Sequence, residues 1–136
     1  MNVNSMSKEQ LDQFGKDFVS TYYQTFDSGI RESLTPFYVP DAVSSQLNFE
    51  GKTFRGQLDI IEKLKSLSFR QIAHDITSVD TMTTLDQGVL LTVLGRFRTD
   101  DDPILSFTQA FYLKAAADGT WYILNDNFRI ILHNSA

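Results

Sequence analysis

Apolar residues in the first third of the chain recur three and four positions apart. Leu11, Phe14, Phe18, Val19, Tyr22, Tyr23 and Phe26 form one broad stripe, which predicts an amphipathic helix of about five turns. Ser7-Lys8-Glu9-Gln10 reads as a capping box, in which the Ser7 hydroxyl accepts a first-turn N–H while Gln10 reaches back to the cap; Met6 and Leu11 hold the two hydrophobic-staple positions. Asp27-Ser28-Gly29 ends the helix. A short second helix is expected over residues 31–38, with Pro36 either early in a turn or breaking it. Residues 43–50 read as a strand, Gly51-Lys52 as a turn and residues 53–56 as the returning edge. Leu58, Ile61, Leu64 and Leu67 then predict a helix over residues 57–67.

The period changes in the second half. Four segments, at residues 70–80, 88–99, 104–115 and 120–132, show strand-like composition or alternation, with turns at Leu85-Asp86-Gln87-Gly88, Asp100 to Pro103, and Asp118-Gly119. Helices followed by an antiparallel meander indicate an α+β fold with the helices on one face of the sheet. Val89, Leu91, Val93 and Phe97 should face the helices, as should Leu105, Phe107, Phe111 and Leu113, and Tyr122, Leu124, Phe128, Ile130 and Leu132. The opposite face is half apolar, with Leu90, Leu94, Ile104, Ala110, Tyr112, Ile123 and Ile131 among Thr, Ser and Asn. Such a face needs a cover, and in a short chain the simplest cover is a second copy.

At 136 residues the chain is a single domain, and 42% hydrophobic residues including eleven Phe supply its core without staples. It has no cysteine, so disulfides and thiolate metal sites are excluded, and a reducing compartment suits it. The net charge of −5 with scattered Lys and Arg argues against nucleic acid as a partner. The N-terminus lacks a cationic start followed by an apolar core, and no apolar run approaches the roughly 18 residues of a membrane span. A soluble protein of the nucleocytoplasmic space is expected, without membrane insertion.

Candidate chemistry is sparse. His74 and His133 are the only histidines and stand far apart, with no second ligand at metal spacing near either. His74 shares a strand face with Ile72 and Ile76, as a hydrogen-bonded, partly buried histidine would. Asp126, alternating with Leu124 and Phe128, falls on the predicted inner face, where a carboxylate must be paired or have its pKa raised. Two roles are open to it: general base in a small-molecule isomerase or hydrolase-like enzyme, with Tyr22 or Tyr122 as donor, or buried acceptor for a Tyr hydroxyl or backbone N–H. No phosphate loop or nucleophile elbow is present. The most distinctive feature is Thr99-Asp100-Asp101-Asp102-Pro103, three carboxylates and a proline between apolar runs, which suits a solvated turn. With Glu50, at the end of Leu47-Asn48-Phe49-Glu50, it gives two acidic strand ends able to frame one basic group.

Several stretches carry a resemblance that covers nearly the whole chain. They include Phe18-Val19-Ser20-Thr21-Tyr22-Tyr23-Gln24-Thr25-Phe26-Asp27, Phe49-Glu50-Gly51, Phe54-Arg55-Gly56 and Ile61-Glu62-Lys63-Leu64, then Leu67-Ser68-Phe69, His74-Asp75-Ile76-Thr77, Asp100-Asp101-Asp102-Pro103-Ile104 and Asn125-Asp126-Asn127-Phe128-Arg129. In these the sequence resembles the nuclear transport factor 2 family, small carriers that return the GTPase Ran to the nucleus. The resemblance implies a cone-like fold whose strongly bent antiparallel sheet wraps around helices and dimerises through the sheet. It also implies a non-catalytic protein without cofactor, found in cytoplasm, nucleus and nuclear pore. Its partners would be GDP-bound Ran, the Phe-Gly repeats of nucleoporins, and a second copy of itself. Carried over residue by residue, the rim that meets a lysine of Ran is Glu50, Asp100 and Asp102. Phe49 belongs to the wall that receives an aromatic of Ran, and His74 lies beside it. Leu11 stands where vertebrate carriers place a repeat-contacting tryptophan, and Phe49 where they have another. The dimer interface would involve Asn127, Tyr112 and Ile123, with Asn127 at a position often apolar in relatives.

Overall fold

The computed structural model describes residues 2–132, so His133 lies outside the described residues. The first helix, α1 (Lys8–Asp27), starts on the expected capping box: Ser7 Oγ accepts from the Gln10 N–H at 3.1 Å and Gln10 Oε1 accepts from the Ser7 N–H at 2.9 Å. Its stripe buries Val19, Tyr22, Tyr23 and Phe26. The following segment, Arg31–Phe37, coils as a 3-10 helix, since Pro36 has no N–H to return to the carbonyl four residues back.

A hairpin of β1 (Gln46–Phe49) and β2 (Lys52–Arg55) leads into α2 (Gln57–Lys65), which buries Ile60, Ile61 and Leu64. The expected contribution of Leu58 is not made: it points to solvent, and Ile60 takes the inward place. The first strand is also shorter than the run of apolar residues suggested, because Asp41 Oδ1 accepts from the Val43 and Ser44 N–H groups and bends the chain there.

Four long strands follow: β3 (Ile72–Thr83), β4 (Val89–Thr99), β5 (Leu105–Ala115) and β6 (Trp121–Ile131), antiparallel in succession. The hairpin does not stay apart from them. β1 pairs in parallel with β6, giving one six-stranded sheet in the order β2-β1-β6-β5-β4-β3. The architecture is α+β, with the strongly curved sheet of a cone-like fold closed around α1 and α2.

Two irregularities shape the curve. In β3 the register shifts between Ile76 and Ser78, and in β6 an extra residue, Leu124, stands between the pairs Tyr112↔Asn125 and Leu113↔Ile123. The second bulge reverses the predicted alternation at the start of β6. Ile123 turns inward and is fully buried, with Trp121 half-buried on the same side, while Tyr122 faces out. Ile123 therefore belongs to the monomer's core and not to a surface that could meet a second copy. Beyond the bulge, Asp126, Phe128 and Ile130 face inward as the alternation predicts.

Gly56 makes the junction between hairpin and α2 possible. Its φ of +86° suits only glycine, and a Cβ there would lie 2.1 Å from the Ala42 carbonyl oxygen. Gly29 has a similar φ of +88° but open space around it. Gly56→Ala should cost about 2–4 kcal/mol and Gly29→Ala about 1 kcal/mol. Urea midpoints of the two variants check this; equal losses would contradict the account of the close approach.

Candidate functional site

The helices do not fill the cone. A cavity of about 260 Å³ remains between the sheet, α1 and α2, with Tyr22, Leu47 and Asp126 towards its floor and Phe49, Leu67 and Phe69 among the residues of its wall. Phe49 stacks on Phe128 with ring centroids 4.8 Å apart, and Lys63 Nζ from α2 sits over the Phe49 ring, 5.0 Å from its centroid. The wall is apolar almost throughout because β1, β4, β5 and β6 each send alternate aromatic and aliphatic residues inward.

Polar groups at the floor satisfy one another. Tyr38 donates to Asp126 Oδ2 at 2.8 Å, Gln109 Nε2 donates to Asp126 Oδ1 at 2.8 Å, and Tyr23 donates to Gln109 Oε1 at 2.5 Å. Tyr22 and Tyr38 share a further bond of 2.8 Å. Burial pushes the Asp126 carboxyl up to about 6, with the bonds from Gln109 and Tyr38 opposing it. Burial likewise raises all three tyrosine hydroxyls, which stay protonated. Of the two roles open to Asp126, the structural acceptor is the one realised. Both its oxygens are engaged, Tyr22 bonds Tyr38 instead of the carboxylate, and Tyr122 lies on the outer face.

His74 lines the same cavity, its ring packed against Tyr23 at 4.6 Å and Phe26 at 5.1 Å. Its partner was not foreseen in the sequence: Asp27, the last residue of α1, accepts from the His74 main-chain N–H at 2.9 Å and contacts Nδ1 at 2.6 Å. Only the position of Asp27 at a helix end hinted at such a use.

Each acidic segment directly follows a residue that lines the cavity, while Asp100 and Asp101 themselves line a separate hollow with Arg70 and Arg98. Glu50 follows Phe49 in the β1–β2 turn and accepts from the Ile130 N–H, and Asp100 follows Thr99, another lining residue. The three aspartates differ in what they can offer. Asp100, at φ +50°, turns its carboxylate onto the Arg70 and Gln71 N–H groups at 3.1 and 2.9 Å. It ties the loop before β3 to the β4–β5 turn. Asp101 and Asp102 are exposed, with only a 3.4 Å bond from the Thr99 hydroxyl to Asp102.

Leu11 is half-buried against the core. One turn later, Phe14, Phe18, Phe37 and Trp121 line a shallow groove beside Pro36, with Phe14 edge-on to Trp121 at 5.0 Å. On the outer sheet face, Asn127 is exposed, while Tyr112 is half-buried and donates to Asp86. Among the described residues no cluster of three or more His, Asp or Glu could hold a metal ion, and no helix is long and apolar enough to cross a membrane.

The cone is hollow and apolar, and the buried carboxylate that lines it has both oxygens engaged, by Tyr38 and Gln109. The nuclear transport factor 2 (NTF2) domain matches residues 14–130, and the chain belongs to that family. Nuclear transport factor 2 of Oryza sativa subsp. japonica is 42% identical over 121 residues, covering 88% of this chain and 95% of the relative. The probable nuclear transport factor 2 of Caenorhabditis elegans is 36% identical over 124 residues, covering 88% and 92%. The solved structure of nuclear transport factor 2 from Cryptosporidium parvum superposes with a TM-score of 0.82 at 39% identity, covering 90% of this chain and 95% of that one. A putative dehydratase of the NTF2-like family from Streptomyces avermitilis shares the fold alone, at a TM-score of 0.73 and 16% identity. The chain has a nuclear transport role and is not an enzyme.

The raised carboxyl at the floor has a measurable consequence. Asp126 titrates near 6 in the fold against about 3.9 unfolded, so between these values the folded state holds the extra proton. Stability should fall as pH rises from about 4 to about 6, by about 3 kcal/mol in all, and the loss is complete above that window. Asp126→Asn should lack this component. Subtracting the urea-unfolding profiles of the two proteins across pH 4 to 7 isolates it; parallel profiles would contradict the burial of a charged carboxylate.

Proposed function

We propose that this protein carries GDP-bound Ran into the nucleus through the nuclear pore, as a homodimer that also engages the Phe-Gly repeats of nucleoporins. The observation that supports this reading best is an apolar cavity lined by Phe49 and Thr99, the residues directly before Glu50 and before the acidic turn Asp100-Asp101-Asp102. Such a site suits a partner presenting an aromatic ring beside a cation: the carboxylates steer the encounter, and the buried ring provides much of the affinity. Phe49 and His74 serve as wall, and Asp100 holds the rim loop in place. Selectivity for the GDP state follows if only that state presents the ring, since a binder discriminates conformations solely by differential contact.

Two further surfaces complete the assignment. The groove of Phe14, Phe18, Phe37 and Trp121 is the seat of the repeat phenylalanines, taking over from the tryptophan that Leu11 replaces. The outer sheet face around Leu90, Leu94, Ala110, Tyr112 and Asn127 is the dimer surface. Localisation to cytoplasm and nucleus, with enrichment at the pore, follows from this traffic.

Calorimetric titration with Ran loaded with GDP or with a non-hydrolysable GTP analogue should give binding to the GDP form only. Glu50→Lys should weaken that binding by about 100-fold or more while leaving the unfolding midpoint in place; unchanged affinity would remove Glu50 from the site. Trp121→Ala should lower retention on a Phe-Gly peptide several-fold and leave Ran binding intact, as separate surfaces require. Loss of Ran binding in that variant would contradict the separation.

A further inference from the structure

The cavity is larger than one aromatic side chain needs. A cavity of roughly 150 Å³ lined by Leu, Ile and Phe takes up benzene, whereas this one measures about 260 Å³ and has space for two fused rings. Its polar groups are also almost all occupied. Tyr22, Gln109 and Asp126 bond within the floor network, and the Thr99 hydroxyl is directed to Asp102. His74 is the exception: Asp27 engages Nδ1 and the main-chain N–H, and Nε2 takes no hydrogen bond among the described residues.

Asp27 is an acceptor, so Nδ1 carries a proton, and in the uncharged ring Nε2 presents a lone pair. Packing against Tyr23, Phe26 and Phe107, at 4.6, 5.1 and 5.6 Å, holds the ring in that orientation. The side chain is only 4% exposed, and His74 lines both the apolar cavity and a second hollow beside Asp75 and Arg96. A cation finds no open carboxylate inside, and an anion would face Asp126 and the Asp27 that holds His74.

We propose that the cavity binds a free, neutral two-ring aromatic molecule of the phenol or indole class, whose single O–H or N–H donates to His74 Nε2. That this ligand excludes a protein partner's ring rests on the reading above; the binding itself does not.

The test titrates 2-naphthol, and 2-methoxynaphthalene as the same rings without a donor, into ¹⁵N-labelled protein. 2-Naphthol should give saturable amide shifts centred on His74, Phe97, Leu105 and Ile130, with a dissociation constant about tenfold below that of the ether. His74→Phe should erase the difference between the two compounds, and Leu64→Trp, which fills the cavity from α2, should abolish binding of both. Circular dichroism confirms that each variant folds. Absence of saturable shifts, shifts confined to the Phe14–Trp121 groove, or a preference for 2-naphthol that survives His74→Phe would each overturn the proposal. In a separate arm, saturating 2-naphthol should weaken binding of GDP-bound Ran. Naphthol binding without that effect overturns the shared seat while retaining the ligand site, so the two readings fail separately.

Discussion

Asp126 brings a carboxylate to the place where α1, the residue ending the 3-10 helix, β1, β5 and β6 converge, and most of the architecture depends on how that charge is satisfied. An unpaired carboxylate at this depth costs several kcal/mol, and a half-satisfied one nearly as much. Here Tyr38 and Gln109 supply two direct bonds, and Tyr22 and Tyr23 orient those donors. The five residues come from four places: Tyr22 and Tyr23 from one turn of α1, Tyr38 from the end of the 3-10 helix, Gln109 from β5 and Asp126 from β6. The network therefore works as a spacer, setting how far α1 stands from the sheet in a way that apolar contacts, which tolerate sliding, cannot.

That spacing is what leaves a hollow. Below the network the aromatic residues of α1 pack edge-to-face on β5, as Tyr22 does on Phe111 at 5.0 Å. Beyond it the cavity opens between the sheet and the helices, with α2 contributing Leu64 to its lining. The surface thus exposed is apolar because the same alternation that builds the core continues to the strand ends. Asp126 is the one carboxylate among the lining residues, and both its oxygens are engaged. The interior consequently keeps its apolar character with no residue placed inside solely for recognition.

Much of this was legible in the residues themselves. The capping box at Ser7 and Gln10 and the three-and-four spacing of α1 determine that helix locally, so they read correctly. The alternation in β4 and β5 likewise reports a sheet with one covered face. The places where the pattern failed are those governed by distant contacts. The bulge at Leu124 depends on fitting β6 against β5, and nothing local marks it, so Ile123 was placed on the wrong face. The parallel pairing of β1 with β6 joins segments some eighty residues apart, as in the register Leu47↔Asp126. Asp100 looked like its neighbours Asp101 and Asp102 until the Arg70 and Gln71 N–H groups came within reach of it. The groove at Trp121 and the Asp27–His74 pair were missed for the same reason. Their members are ordinary core or helix-end residues until the sheet curls and brings them together.

The position of β6 has a consequence for how the molecule is made. Among the described residues it is the last of the strands in chain order, yet it sits between β1 and β5 and joins the hairpin to the meander. A chain emerging from the ribosome without it holds two sheet fragments that cannot recognise each other, with Glu50 on one and the aspartates of the β4–β5 turn on the other. Both acidic segments come into register only when β6 inserts, and the insertion also delivers Asp126 to its donors. Long-range strand insertion is slow, so the competence to bind arrives in a single late event. An interrupted synthesis product would offer neither a partial cavity nor a partial rim to compete with the finished protein.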